Sequence, residues 1–149
     1  MGNTINIKNK KAHFEYFLID EYSAGLQLTG TEIKSIRAAK ASIAEAYCVF
    51  VDNELFIRNM HISEYSHGSD NNHEPKRDRK ILLTKKELKK IATKTIEKGL
   101  TIIPTLLYIN EKGLAKIDIS IAKGKKYYDK RESIKLKDIK RDVDRKENY

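Results

Sequence analysis

Leu100-Thr101-Ile102-Ile103-Pro104-Thr105-Leu106-Leu107-Tyr108-Ile109, then Asn110-Glu111-Lys112-Gly113, then Leu114 to Ala122: this stretch decides the fold. The first run is rich in β-branched, aliphatic and aromatic residues and reads as one long strand. The polar tetrad after it carries turn chemistry. Beyond the turn, Ala115, Ile117, Ile119 and Ile121 alternate with Lys116, Asp118 and Ser120, the period of a half-buried strand. So short a connection makes the pair antiparallel, because a parallel pair needs a crossover of about a dozen residues or more. Pro104 cannot donate to a ladder, which predicts an edge or a bulge there.

Working outward, Tyr47-Cys48-Val49-Phe50-Val51 and Leu55-Phe56-Ile57-Arg58-Asn59-Met60 form a second hairpin around Asp52-Asn53. Phe14 to Tyr22 reads as a strand that Ser23-Ala24-Gly25 is expected to break before Leu26-Gln27-Leu28 resumes the alternation. Thr31 is expected to cap a short helix that carries Ile33, Ile36 and Arg37. Thr84 and Glu87 form a capping box at the head of a second helix, with Leu88, Ile91, Ala92, Thr95 and Ile96 as its apolar stripe and Gly99 as its stop. About six strands joined by hairpins, with two helices, predict a mainly β antiparallel barrel with flanking helices.

The chain length of 149 residues suits one domain plus an extension. Residues 1–12 are polar and expected to be loose, 13–122 form the barrel, and 123–149 form a basic tail. Net charge is +9, and it is segregated: the tail holds eleven Lys/Arg against six Asp/Glu, and residues 76–90 hold eight against two. Two positive blocks on a slightly acidic remainder suit a chain that grips polyphosphate at two places. The tail has only four aliphatic side chains (Ile134, Leu136, Ile139, Val143), too few to offset the entropy of ordering, so it is expected to be disordered when free. Cys48 is the only cysteine, which excludes an intramolecular disulfide and a multi-cysteine zinc site. No apolar run approaches the roughly 18 residues of a membrane span, and Met1 to Asn6 has no signal-peptide core, so a cytoplasmic chain is expected.

Pro75-Lys76-Arg77-Asp78-Arg79-Lys80 follows a long polar stretch, residues 61–80, and suits phosphate contacts, against the plainer reading of a solvated charge run. Glu32, Ser35 and Arg37 read as an exposed, hydrogen-bonding helix edge. His61, His67 and His73 with Asp70 and Glu74 match no metal-ligand spacing, and contacts of these histidines to RNA or backbone are preferred. In the tail, Lys123, Lys125, Lys126, Lys130 and Arg131 surround Tyr127 and Tyr128, so that aromatics could stack on bases while cations hold phosphates. If residues 128–146 turned helical on a partner they would reach about 28 Å. No nucleophilic triad, P-loop or dinucleotide fingerprint is present, and neither a cofactor nor a metal is expected.

Several blocks, in order and over nearly the whole chain, resemble the SsrA-binding, or small protein B, family. They are Asn9-Lys10-Lys11-Ala12, Ala24-Gly25-Leu26, Gly30 to Arg37, Met60-His61-Ile62-Ser63, Asn72-His73-Glu74-Pro75, Arg79 to Leu83, Lys98 to Thr101, Gly124-Lys125-Lys126 and Asp129-Lys130-Arg131. The resemblance implies an oligonucleotide-binding barrel of Greek-key type and a monomeric, non-enzymatic role. Its partners would be transfer-messenger RNA, bound at the tRNA-like domain, and the ribosome, at the small-subunit decoding centre and the empty mRNA channel, where the tail turns helical. The RNA-binding residues it implies are Lys11, Glu32, Lys34, Ser35, Arg37, His61, Asn72, His73, Lys76, Arg77, Arg79 and Lys80. The ribosome-engaging residues are Lys123, Gly124, Lys125, Lys126, Tyr127, Tyr128, Asp129, Lys130, Arg131, Lys135, Lys137 and Arg141. Two departures stand out. Gly68-Ser69-Asp70-Asn71-Asn72-His73 replaces the usual Gly-Asn-Arg-Phe-Asn-His, losing an Arg and an aromatic, and Ala39 replaces the glycine usual after the helix. A general single-stranded RNA-binding barrel is the alternative, and a metal-dependent nuclease built on His61, His73, Asp70 and Glu74 a more distant one.

Overall fold

The computed structural model describes residues 5–65, 72–96 and 99–125. Its elements run β1 (Asn6–Lys8), α1 (Ala12–Glu15), β2 (Tyr16–Leu26), α2 (Gly30–Arg37), β3 (Ala41–Ser42), β4 (Tyr47–Val51), β5 (Glu54–Arg58) and β6 (His61–Ile62). β7 (Arg79–Leu82), α3 (Lys85–Lys94), β8 (Leu100–Ile109) and β9 (Ala115–Gly124) follow. The strands pair in the order β1-β8-β4-β5-β7-β2-β9, all antiparallel, and an additional β8–β9 pairing closes six of them into a ring. β1 adds to the outside of β8, while β3 and β6 form a separate two-stranded ladder.

The two predicted hairpins build this ring. β4 and β5 pair from Tyr47↔Arg58 to Val51↔Glu54, and Asp52 and Asn53 both take positive φ (51° and 67°), as a type I′ turn requires. β8 and β9 pair from Ile109↔Ala115 to Leu100↔Lys123, and the register slips between Pro104 and Leu106, so the proline marks a bulge. In their turn the Asn110 side chain accepts from the Lys112 and Leu114 amides (3.0 and 2.9 Å). Ile117, Ile119 and Ile121 point into the barrel with Leu55, Ile57, Ile81 and Leu107, all at most 1% exposed. Burying each such side chain contributes about 1.5–3 kcal/mol.

β2 differs from expectation. Ser23-Ala24-Gly25 does not break it; the strand runs unbroken because Ser23 pairs with Asp118, Ala24 with Ile117 and Gly25 with both Lys116 and Leu82. Long-range pairing overrides the weak strand propensity of these residues. The N-terminal segment is also more ordered than its polarity suggests: Asn6–Lys8 pairs with β8, and the Asn9 side chain donates to the Pro104 carbonyl (2.8 Å). At the other end β9 continues through Lys123 and Gly124, past the expected limit at Ala122.

α3 carries the expected capping box, with the Thr84 hydroxyl accepting from the Glu87 amide (3.1 Å) and Ile91 fully buried. It stops at Lys94, so Ile96 is not part of the stripe and stands 82% exposed. α2 is capped by Thr29 rather than Thr31, in a capping box closed by Glu32. It ends in a Schellman motif: Lys40 N–H donates to Ser35 O (2.9 Å) and Ala39 N–H to Ile36 O (2.8 Å). That motif forces the residue after the cap into the left-handed region, and here it is Ala39, with φ 61°.

Candidate nucleic-acid interface

The polar stretch after β6 is tied to α2 at several points, and every tie uses a residue singled out from the sequence. Asn72 folds its side chain against Tyr65, accepting from the Tyr65 amide (3.0 Å) and donating to its carbonyl (2.9 Å). The two bonds hold Tyr65 and Asn72 against one another. His73 is buried; its Nε2 donates to the Ile62 carbonyl (2.8 Å), and its Nδ1 meets the Thr31 hydroxyl (2.9 Å). The Ile62 carbonyl can only accept, which assigns the proton to Nε2. Ser35 donates to the Ser63 carbonyl (2.7 Å), and Lys34 lies over the Tyr65 ring, 5.6 Å from its centroid.

Glu32 is the centre of this arrangement. One carboxylate oxygen accepts from the Thr29 amide and Arg77 Nη2 (both 2.8 Å), the other from Arg77 Nε (2.8 Å) and Arg79 Nε (2.7 Å). Arg79 is fully buried, and its remaining donors go to the carbonyls of Met60 (2.7 Å), Pro75 (3.1 Å) and Glu74 (3.3 Å). Burial works to raise the Glu32 carboxyl, but hydrogen bonds from Arg77, the Thr29 amide and Arg79, with the Arg79 charge, outweigh it and hold the group below its ordinary value. Burial pulls the Arg79 guanidinium down, and Glu32 pushes it back up. The pair stays ionised and joins β7, α2 and both ends of the polar stretch.

This corrects the expected exposed helix edge. Glu32, Ser35, His73 and Arg79 are buried and face inward. The cations left at the surface are Lys34, Arg37 and Lys76, with Arg77 partly exposed beside them. Arg37 Nη2 donates to the Gly113 carbonyl (3.4 Å), which carries the basic face to the β8–β9 turn. Lys80 pairs with Glu54 (3.2 Å), half-buried His61 lies in β6 opposite Ser42, and Lys11 pairs with Glu45, whose carboxyl also feels the charge of Lys76. In the tail, Lys123 and Gly124 end β9 and Lys125 follows; Lys126, Tyr127, Tyr128, Asp129, Lys130, Arg131, Lys135, Lys137 and Arg141 lie outside the described residues. His67 and Asp70 lie outside them as well, and no group of three or more His, Cys, Asp or Glu among the described residues could hold a metal ion.

Sequence reasoning overlooked the Tyr65 main chain, Thr29 and the carbonyls of Met60, Ile62 and Ser63. One signal was available: Thr29-x-x-Glu32 is itself a capping-box pattern. The carbonyls carry no sequence signal at all.

A closed antiparallel barrel whose one end carries a helix, a strapped polar loop and a cluster of exposed cations defines a barrel of the oligonucleotide-binding type with a basic face. The family model described as "SmpB protein" matches residues 6–149, and the chain belongs to that family. It is 60% identical over 141 residues to an "SsrA-binding protein" of Phocaeicola vulgatus, covering 95% of this chain and 94% of that one. A protein of the same description from Flavobacterium psychrophilum is 59% identical over 145 residues, 97% of each chain. Among solved structures, one described as "tmRNA-SmpB: a journey to the center of the bacterial ribosome" matches with a TM-score of 0.69 at 40% identity, covering 80% of this chain and 84% of that one.

Proposed function

We propose that this protein is an RNA-binding factor of trans-translation, with transfer-messenger RNA and the ribosome as its partners. The observation that carries the reading is near-full-length similarity to SsrA-binding proteins, together with an exposed basic face held on a rigid base. The barrel binds the tRNA-like domain of the RNA through Lys34, Arg37, Lys76 and Arg77. Arg79, Glu32, His73, Ser35 and Asn72 act beneath them, fixing the surface that those cations present. Phosphates are held by the cations, and recognition comes from the shape of the folded RNA.

The tail, residues 123–149, engages the ribosome, entering the empty mRNA channel at the small-subunit decoding centre and signalling that no codon is present. Binding and positioning suffice for this role, so it requires no catalytic group and no cofactor, and its setting is the cytoplasm. No helix among the described residues is long and apolar enough to cross a membrane.

Replacing Asp129, Lys130 and Arg131 together with alanine tests the division of labour. Affinity for transfer-messenger RNA is expected to stay within about twofold while tagging of nascent chains on stalled ribosomes is lost. A triple variant that loses RNA affinity would sink the reading of a separate tail. Equal affinity of the unmodified chain for unrelated RNAs at matched salt would instead favour a general single-stranded RNA-binding barrel.

A further inference from the structure

The site at α2 accounts for only half of the cations in residues 76–90. Lys76 lies on the basic face, Arg77 and Arg79 close on Glu32, and Lys80 pairs with Glu54. Lys85, Lys86, Lys89 and Lys90 remain, all exposed on α3 and all without an ion pair among the described residues.

The pitch of the helix puts Lys85, Leu88, Lys89 and Ala92 on one stripe. That stripe faces the β4–β5 turn across a groove of about 520 Å³. Phe50 and Leu88, both half-buried, and Ala92 give the groove an apolar lining. Its walls are fixed on both sides. The Thr84–Glu87 capping box and buried Ile91 hold α3, and the type I′ turn at Asp52-Asn53 holds the hairpin. A groove formed in advance binds without the cost of ordering its own walls.

Positive charge stands on one wall only. Lys85 and Lys89 edge the α3 side, with Lys86 and Lys90 on the next stripe outward, whereas the hairpin side offers Asn53 and Glu54. An RNA strand carries phosphates along its whole length, so RNA laid here would set some of them against Glu54. It would also leave the apolar lining unused, because half-buried Phe50 offers little ring face for stacking. The chain's own tail, with eleven Lys/Arg against six Asp/Glu, is repelled by the four lysines, and so is a second copy of a chain with net charge +9. An amphipathic protein segment with acids along one flank satisfies both the lining and the lysines.

We propose that the groove between α3 and the β4–β5 turn docks an acidic amphipathic segment of another protein. Its apolar side chains seat against Phe50, Leu88 and Ala92, and its carboxylates pair with Lys85 and Lys89. This surface is separate from the basic face at α2 and does not depend on the RNA reading.

The probe is a fluorescein-labelled helical peptide of about 16 residues, roughly 24 Å long, with Leu along one stripe and Glu along its flank. Its control has the same charges with every Leu replaced by Ala. Each is titrated with the full-length protein and followed by fluorescence anisotropy. Saturable binding of the Leu peptide is expected, at least about tenfold tighter than that of the control. Lys85→Glu combined with Lys89→Glu should weaken it by about tenfold or more. Ala92→Gln fills the groove from an exposed helix position without changing charge, and should weaken it by about fivefold or more. The same Ala92→Gln protein should keep its affinity for the tRNA-like domain of transfer-messenger RNA within about twofold. No binding of the Leu peptide, or equal binding of both peptides, overturns the proposal. Lost RNA affinity in Ala92→Gln would assign the groove to RNA, and a protein dimer in sedimentation that Ala92→Gln dissociates would assign it to a second copy; either result overturns the proposal as well.

Discussion

Glu32→Gln keeps the shape of the side chain and removes its charge. The amide oxygen can keep the bonds of one carboxylate oxygen, to the Thr29 amide and Arg77 Nη2 (both 2.8 Å). The amide nitrogen then faces two donors, Arg77 Nε at 2.8 Å and Arg79 Nε at 2.7 Å, and both of those bonds are lost. Arg77 is partly exposed and can rehydrate; Arg79 is fully buried and cannot. Hydrogen bonds to charged groups contribute about 1.5–3 kcal/mol each, and stranding one partner of a buried ion pair costs about 3–5 kcal/mol. The expected loss is therefore about 4 kcal/mol, a large part of the 5–15 kcal/mol typical of a domain. Urea unfolding followed by circular dichroism at neutral pH measures it. Removing both charges, as in Glu32→Gln with Arg79→Met, should be milder than the sum of the two single changes. The pH dependence follows from the sign of the shift. Glu32 binds its proton more weakly folded than unfolded, so its contribution is complete above the ordinary carboxylate value of 4.5 and is lost as pH falls through the lower folded value. The gap between wild type and Glu32→Gln should therefore close in acid. A loss below about 1 kcal/mol at pH 7, or a gap that widens in acid, would refute the buried-pair account.

Three further outcomes are expected. Ala39→Gly relieves the left-handed backbone at φ 61° and should stabilise the barrel by about 1 kcal/mol, raising Tm by roughly 3–6 °C in a thermal melt. Asn72→Ala removes the clamp on Tyr65 and two of its hydrogen bonds; faster hydrogen exchange at the Tyr65 amide is expected, with a global stability change of no more than about 2 kcal/mol. Cys48 is buried, and burial pushes its thiol well above the ordinary range, so a soluble disulfide reagent should label it only as fast as the protein opens; rapid labelling of the folded chain would contradict that burial.

Features set by neighbours in sequence were legible before the fold was seen. Asp52-Asn53, Thr84 with Glu87, and Pro104 each announced a turn, a cap or a bulge through local backbone chemistry, and each lies where expected. Features set by distant contacts were not. Ser23-Ala24-Gly25 looks like a break until β9, some hundred residues on, supplies its hydrogen bonds. Glu32 and Arg79 are 47 residues apart, and nothing local says that an acid on a polar helix and an arginine in a basic run will bury one another. Glu32, Ser35, Asn72, His73, Arg77 and Arg79 come together around α2, but the sequence could not tell which of them are buried and which stay at the surface.

The closure of the barrel bears on how the chain is made. β2 is complete by Leu26, yet its main partner is β9, which ends at Gly124. During synthesis the eleven residues of β2 wait with one hydrogen-bonding edge open until almost all of the domain has been translated. A copy cut short before β9 can never cover that edge, and an uncovered edge is a template for aggregation. By its own topology this chain is a poor candidate to survive unfinished.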